Sequence, residues 1–368
     1  MPKPQKVLIV GGGISGISAA WGLQKAGIDA KILEARDRIG GRILTHEIEG
    51  HPPQQAAALD LGPSWFWPGQ PLIAGLLDRF GLSFFAQHDT GDSLFETHTG
   101  QVHRNPPPGP MAGALRVNGG FGRLVHALAE DLAPDSIFLQ HTVTTLDGQH
   151  DRVRLEAQHP GGSTTFEADH VALALPPRLI PALSFDSALP DAAQESMARV
   201  PTWMAGHAKF FAVYDTPFWR TNNLNGSVFS MPGPLGEIHD ASPDEEEAQG
   251  VLFGFVKLHA DERQRLGHQG VIDQCVAQLD RLFGAEAAHP RETYLMDWST
   301  EAETATAADH NPPPDHPAYG QRVDLGSTWA ERLTPISTET SYANGGLVEG
   351  AVHAGLSFAG RLGEVRNL

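Results

Sequence analysis

Residues 6–42 read KVLIVGGGISGISAAWGLQKAGIDAKILEARDRIGGR. Val7–Val10 is a continuous apolar run, short enough for a buried parallel strand. Gly11, Gly13 and Gly16 follow at G-x-G-x-x-G spacing. Ile14–Ala26 then fits a helix, with Ile14, Ile17, Trp21 and Leu23 on or near one face and Gly27 as its stop. Ala30–Leu33 is a second strand, and Glu34 stands at its end. Strand, glycine turn, helix and acid-tipped strand together predict a dinucleotide-binding unit.

Each residue has a role in that geometry. Gly11 permits the tight turn, Gly13 removes a side chain that would block a pyrophosphate, and Gly16 lets the helix pack on the strand. Ile14 and Ser15 open the helix, whose N-terminus offers N–H groups and partial positive charge to phosphates. Glu34 is placed to accept from a ribose 2′-hydroxyl, and its charge argues against a 2′-phosphate. A glycine-rich turn without a ligand is the competing reading. The two strands, the helix and the acid in register count against it.

Ala35, Arg36, Gly40, Gly41 and Arg42 continue the run as E-A-R-D-R-I-G-G-R from Glu34. This resembles the extended FAD-binding motif of the flavin amine oxidase superfamily. The resemblance implies FAD rather than NAD, with Ala35 and Arg36 among the cofactor contacts. It also implies that Gly41 lets the chain pass close to the cofactor and that Arg42 lies near its phosphates.

Composition bounds the rest. The chain has 368 residues and a net charge of −18 with His neutral, and no basic face for nucleic acid is visible. Its one cysteine, Cys275, excludes an intramolecular disulfide and a cysteine zinc site. The 18 histidines are scattered and show no metal-ligand spacing. The opening MPKPQK leads straight into the first strand, so no signal peptide is expected. No apolar run approaches a membrane span, and a cytoplasmic protein is expected.

Further along, Asp60–Gln70 reads DLGPSWFWPGQ and follows neither helix nor strand periodicity. It resembles the monoamine oxidase stretch that runs along the flavin. Gly62, Pro63, Ser64 and Trp65 are then cofactor contacts, and Trp65 and Trp67 line the substrate cavity. A core aromatic cluster is the alternative. Ile43–Glu49 reads as a strand, Pro52 and Pro53 as a loop, Pro71–Phe85 as a helix, and Ile137–Leu139 and Val143–Leu146 as strands. By resemblance the backbone of Val143 meets the adenine. Val153–Ala157 and Thr165–Glu167 fit a hairpin, and the prolines of ADHVALALPPRL, Ala168–Leu179, end a strand.

Phe210–Tyr214 is a strand candidate with Lys209 at its start. Lys209 lies ten residues before Trp219 of a Pro217–Trp219 P-F-W signature. The resemblance gives it the role of holding a water at flavin N5. An exposed strand-end lysine is the plainer alternative. Asp244–Glu247 is an acidic loop, and Val271–Phe283 a helix that buries Cys275. Trp298 resembles the family tryptophan beside the isoalloxazine. Ala307 stands where covalent members carry the flavin-linking cysteine, and Ala308 replaces the aromatic after it. Non-covalent FAD follows. The final block, ISTETSYANGGLVEGA at Ile336–Ala351, resembles the family ending. Glu339 then lies near the phosphates and ribityl chain, and Gly346, Leu347 and Val348 under the pyrimidine. Leu347 also lines the substrate site, in place of the usual framing aromatic.

The expected fold is α/β. A Rossmann-like FAD-binding domain (1–68, 116–197, 299–368) carries an inserted sheet-plus-helix substrate domain (69–115, 198–298), in the manner of amine oxidases. The expected reaction is oxidation of an amine, with hydride passing to the flavin and dioxygen reduced to hydrogen peroxide. The expected partners are the amine, dioxygen and, at most, a second copy of the chain. Three alternatives remain at this level: a desaturase or dehydrogenase, a flavoprotein with little turnover, and an amino-acid oxidase that binds a carboxylate through Arg178 or Arg220.

Overall fold

Val7, Leu8 and Ile9 are wholly buried, as a strand flanked on both sides requires. In the computed structural model, which describes residues 6–48, 58–109, 111–244 and 249–363, Lys6–Val10 is the middle of a five-stranded sheet. Its order is Leu333–Pro335, His170–Leu173, Lys6–Val10, Asp29–Leu33, Ile137–Phe138, and every pairing is parallel. Three distant parts of the chain thus build one sheet. The helix Ile14–Lys25 buries Ile17, Ala19, Ala20 and Leu23 against it, and the last helix, Val348–Gly363, packs on that helix. A second sheet joins the antiparallel hairpin Val153–His159/Gly162–Ala168 to Thr142–Asp147 and Ser184–Phe185.

The third sheet has seven strands, in the order Glu292–Asp297, Ala208–Tyr214, Gly250–Val256, Leu235–Asp240, Leu224–Ser230, Asp92–Glu96, Val102–Asn105. Alternation gives it two unlike faces. Ala208, Phe210, Ala212 and Leu252 face the long helix Ala260–Phe283. Phe211, Val213, Val251 and Phe253 face Ile48 and Leu59 of the segments that join the nucleotide sheet. The last two strands at one edge, Asp92–Glu96 and Val102–Asn105, come from the 69–115 region, whereas the helix Pro71–Arg79 packs with Ile17 and Val352 in the nucleotide core.

Several expected boundaries move for local reasons. The helix expected over Pro71–Phe85 ends at Arg79, because Gly81 takes φ +64° and the chain turns into a strand, Phe84–Ala86, paired with Leu115–Val117. The helix expected over Val271–Phe283 begins at Ala260, with non-helical backbone at Gly267. The strand expected over Ile43–Glu49 is observed only at Thr45–Glu47. The Pro52–Pro53 loop and Glu245–Glu247 of the acidic stretch lie outside the described residues.

Candidate active site

The glycine turn tests the dinucleotide reading directly. A Cβ built on Gly16 would stand 2.1 Å from the Gly11 carbonyl, so helix and strand require glycine there. Gly13 differs. Its backbone, φ −71° and ψ 170°, suits any residue, and a Cβ would meet nothing closer than Gly40 O and Gly41 Cα at 3.9 Å. Protein packing does not demand glycine at 13. A pyrophosphate laid against the backbone does. Gly13→Ala is therefore expected to leave apoprotein stability near that of the parent and to weaken FAD binding by about 1–3 kcal/mol. Denaturation midpoints and flavin titration of the apoprotein measure the two effects. Unchanged FAD affinity in the variant would remove Gly13 from the cofactor site.

Around this turn the other expected contacts take definite positions. The Glu34 carboxylate is buried and accepts the N–H groups of Gly12 (2.6 Å) and Arg36 (2.9 Å). The His141 amide donates to the Glu34 carbonyl, which brings the Thr142–Asp147 strand and Val143 alongside. Val143 itself is buried in the core with Val10 and Leu33. The Ser15 hydroxyl donates to the Ile336 carbonyl, so its side chain is committed to the fold. The Arg36 guanidinium reaches Glu301 Oε2 (2.9 Å) and Thr304 Oγ1 (3.0 Å) and locks the 301–304 segment beside Glu34.

The segment 60–65 has little regular structure, and its backbone carbonyls need partners. Two side chains from the third sheet and its end supply them. Lys209 donates to Asp60 O (2.8 Å), Gly62 O (2.7 Å) and Ser64 Oγ (2.8 Å), and Trp298 Nε1 donates to Leu61 O (2.9 Å). Lys209 is only 4% exposed and lies over the Phe253 ring at 4.4 Å. It is thus no exposed strand-end lysine. An ammonium has three hydrogens and all three are donated within the protein, so a water at Lys209 requires one of these bonds to open. Burial pushes the ammonium down to about 7; the Asp60 carboxylate opposes this and the Arg116 guanidinium adds to it. A Cβ on Gly62 would fall 1.9 Å from the Arg42 carbonyl, so its close approach is to protein backbone.

Trp65 Nε1 donates to Gln87 Oε1 (2.8 Å), and Gln87 Nε2 donates to Asp240 O (2.7 Å). The Trp65 ring stands edge-on to His239 at 5.0 Å and near Phe253 at 5.2 Å. Trp67 is 37% exposed and joins no ring contact among the described residues. Sequence reasoning missed Gln87, since nothing in its neighbourhood marks it.

Arg42 and Glu339 form a two-pronged ion pair at 2.6 and 2.9 Å, with the glutamate side chain wholly buried. The two expected phosphate-side residues therefore neutralise each other. Glu349, which the family-like ending places at the start of the last helix beneath the flavin pyrimidine, accepts the N–H groups of Leu72 and Ile73 and caps the Pro71–Arg79 helix. Gly346 takes φ +83° in the turn before the last helix, and Leu347 lines a cleft of about 370 Å³ with His316, Tyr319 and Tyr342. Rings from the 311–326 stretch thus stand where the family-like aromatic at 347 is missing. Arg178 is paired with the buried Asp309, and Arg220 with the buried Asp240 at 2.9 Å. Neither is free to bind a substrate carboxylate, which removes the support for an amino-acid oxidase.

A glycine cradle on a parallel sheet, closed by the seven-stranded sheet that offers a buried lysine, defines a dinucleotide-dependent oxidoreductase. The chain belongs to the family of flavin-containing amine oxidoreductases, whose model matches residues 14–116 and 108–362. It is an FAD-dependent amine oxidase. It is similar to a putrescine oxidase of Kocuria rosea, 24% identical over 447 residues, covering 90% of this chain and 88% of that protein. It is also similar to human flavin-containing amine oxidase B, 24% identical over 452 residues, covering 95% and 84%. Both alignments are longer than this 368-residue chain, so the relatives carry segments that it lacks. Among solved structures, a putrescine oxidase bound to putrescine superposes with a TM-score of 0.79 at 24% identity, covering 97% of this chain and 98% of that one. The cyclohexylamine oxidase of Brevibacterium oxydans IH-35A gives 0.79 at 19%, covering 99% of each.

Proposed function

We propose that this oxidase acts on the CH–NH carbon of an amine, with dioxygen as acceptor and hydrogen peroxide as product. The observation that carries this reading is Lys209, a cation buried on an aromatic sheet face and bonded to the 60–64 segment. FAD, when bound, supplies the acceptor for the two electrons and the α-hydrogen of the amine. The protein supplies position and charge. Gly11, Gly13, Ile14, Ser15 and Gly16 hold the pyrophosphate through backbone groups. Glu34, Ala35, Arg36 and Val143 hold the adenosine end, Arg36 through its backbone. Gly41, Arg42 and Glu339 lie between the halves of the cofactor. Gly62, Pro63, Ser64, Trp65, Trp298 and Gly346–Val348 surround the ring end. Trp65, Trp298 and Leu347 exclude water from the reacting carbon, and Trp67 stands at the rim.

This reading divides the chain into nucleotide and substrate parts at 69–115 and 198–298, and the composition of the seven-stranded sheet supports that division. It places the enzyme in the cytoplasm. No helix among the described residues is long and apolar enough to cross a membrane. Anaerobic mixing of the holoenzyme with a panel of monoamines, diamines and amino acids tests the function. Bleaching of the flavin by amines, and peroxide once oxygen is admitted, are the expected results. No bleaching by any amine would overturn it.

The flavin is held without a covalent bond. Ala307 offers no thiol, and Cys275 is buried in the core on the helix-covered face of the seven-stranded sheet, where burial pushes its thiol up to about 12. Acid precipitation of the holoenzyme is expected to release the yellow chromophore to the supernatant. Colour retained in the pellet contradicts this.

A further inference from the structure

His316 is exposed and takes part in no hydrogen bond or ion pair among the described residues. It is nonetheless held in place. Its stretch reads NPPPDHPAYG over 311–320, and Pro317 biases the residue before it toward extended backbone. The imidazole lies 4.6 Å from the Trp203 ring and stands edge-on to Tyr319 at 5.5 Å. Tyr319 is anchored in turn, because its hydroxyl donates to the Pro201 carbonyl at 2.9 Å. Both rings rest on the turn before the last helix. A Cβ on Gly346 would fall 2.8 Å from His316 Nε2 and 2.9 Å from Tyr319 Cε2, so the turn admits the imidazole only because residue 346 is glycine. Nε2 thus sits against the residue that precedes Leu347, in the cleft that the two side chains share.

We propose that His316 is the base that takes a proton from the substrate ammonium. Near neutral pH an alkylamine in water is an ammonium, whose nitrogen has no lone pair to support loss of the α-hydrogen with its electrons. One N–H bond must break first. Its proton passes to the neutral imidazole and its electron pair stays on the nitrogen, which leaves a neutral amine and an imidazolium. The imidazolium is open to water and returns the proton there. An imidazole is the side chain suited to this exchange near neutral pH. The other polar groups of the cleft do not serve. The Tyr319 and Ser341 hydroxyls donate to the Pro201 and Ala343 carbonyls, and Asn344 is an amide without a basic nitrogen. The charged groups around His316 are Asp315 on its own loop and the Arg42–Glu339 pair next to Tyr319. Across the cleft, His353 lies 4.5 Å from the Tyr342 ring and bonds Ser341. The assignment rests on the reading that Leu347 borders the reacting amine.

The test uses the holoenzyme and the amine of the panel that bleaches its flavin fastest. Anaerobic flavin reduction and kcat/KM are followed from about pH 6 to about pH 10 in the parent and in His316→Gln. At about pH 7 the variant is expected to be slower in both by roughly tenfold to a hundredfold. The deficit is expected to shrink as pH rises and to vanish near about pH 10, where the amine is already neutral in solution. A difluorinated analogue of the same amine is a much weaker base, and both proteins are expected to oxidise it equally at neutral pH. FAD affinity and the urea midpoint of the apoprotein are expected to match the parent. Equal pH profiles in the two proteins overturn the proposal, as does a deficit that is the same at every pH and for the fluorinated amine. Weakened FAD binding in the variant would make His316 a cofactor contact and overturn it as well. Each of these results leaves the amine oxidase reading intact. A parent whose flavin no amine bleaches overturns both.

Discussion

Lys209→Met is expected to slow the reaction of the reduced enzyme with dioxygen by roughly tenfold to a hundredfold, with FAD still bound. The methionine keeps the length of the chain and removes its charge. A fixed cation beside the reacting ring stabilises the negative charge that oxygen acquires, and in a water-poor site that effect is large. Stopped-flow mixing of photoreduced enzyme with oxygen measures it. Equal rates in parent and variant would make Lys209 a structural lysine only.

The same substitution has a pH signature. The ammonium titrates near 7 in the fold, against 10.5 for an ordinary lysine. Between these values the unfolded chain binds more protons than the folded one, so stability rises with pH. Below about pH 7 both states are protonated and the burial cost is present in full. The stability of the parent relative to Lys209→Met is therefore expected to climb from pH 7 towards pH 10, with a slope of up to about 1.4 kcal/mol per pH unit. Urea denaturation of both proteins at several pH values checks this. A flat difference would show that the ammonium is not shifted.

Glu339→Gln is expected to destabilise the protein by about 3–5 kcal/mol. The side chains are nearly isosteric, so packing is kept. What is lost is the partner of Arg42, whose guanidinium side chain is only 26% exposed and otherwise meets the Trp203 carbonyl at 3.3 Å. A neutral amide does not repay the desolvation of that charge. FAD affinity is expected to fall less than stability, because a freed Arg42 offers its full charge to the phosphates. Urea midpoints of the apoproteins, with flavin titration alongside, separate the two quantities. A midpoint equal to that of the parent would show that the ion pair contributes nothing.

The nucleotide half was legible in the chain because its signals are local. Gly11, Gly13 and Gly16 lie within six residues, and the periods of Val7–Val10 and Ile14–Lys25 report strand and helix without reference to anything distant. Glu34 stands where the second strand must end beside the turn, and its carboxylate does meet the Gly12 amide. The placement of Lys209 at the start of a buried strand was legible for the same reason.

The partners of the charged groups were not legible, because pairing depends on which segments the fold brings together. Lys209 bonds a segment some 145 residues away, Arg42 a glutamate 297 away, and Glu349 caps a helix 277 away. Arg178 and Arg220, open candidates for a substrate carboxylate, are neutralised by Asp309 and Asp240. The sequence by itself determined the dinucleotide cradle, since spacing along a strand or a helix maps directly onto space; the preference for FAD rested on the resemblance of the Glu34–Arg42 run to the flavin amine oxidase motif. The tertiary structure alone decided which charges remain free to meet a substrate. A buried charge must find a partner wherever the fold places one, and that leaves no trace in the spacing of residues.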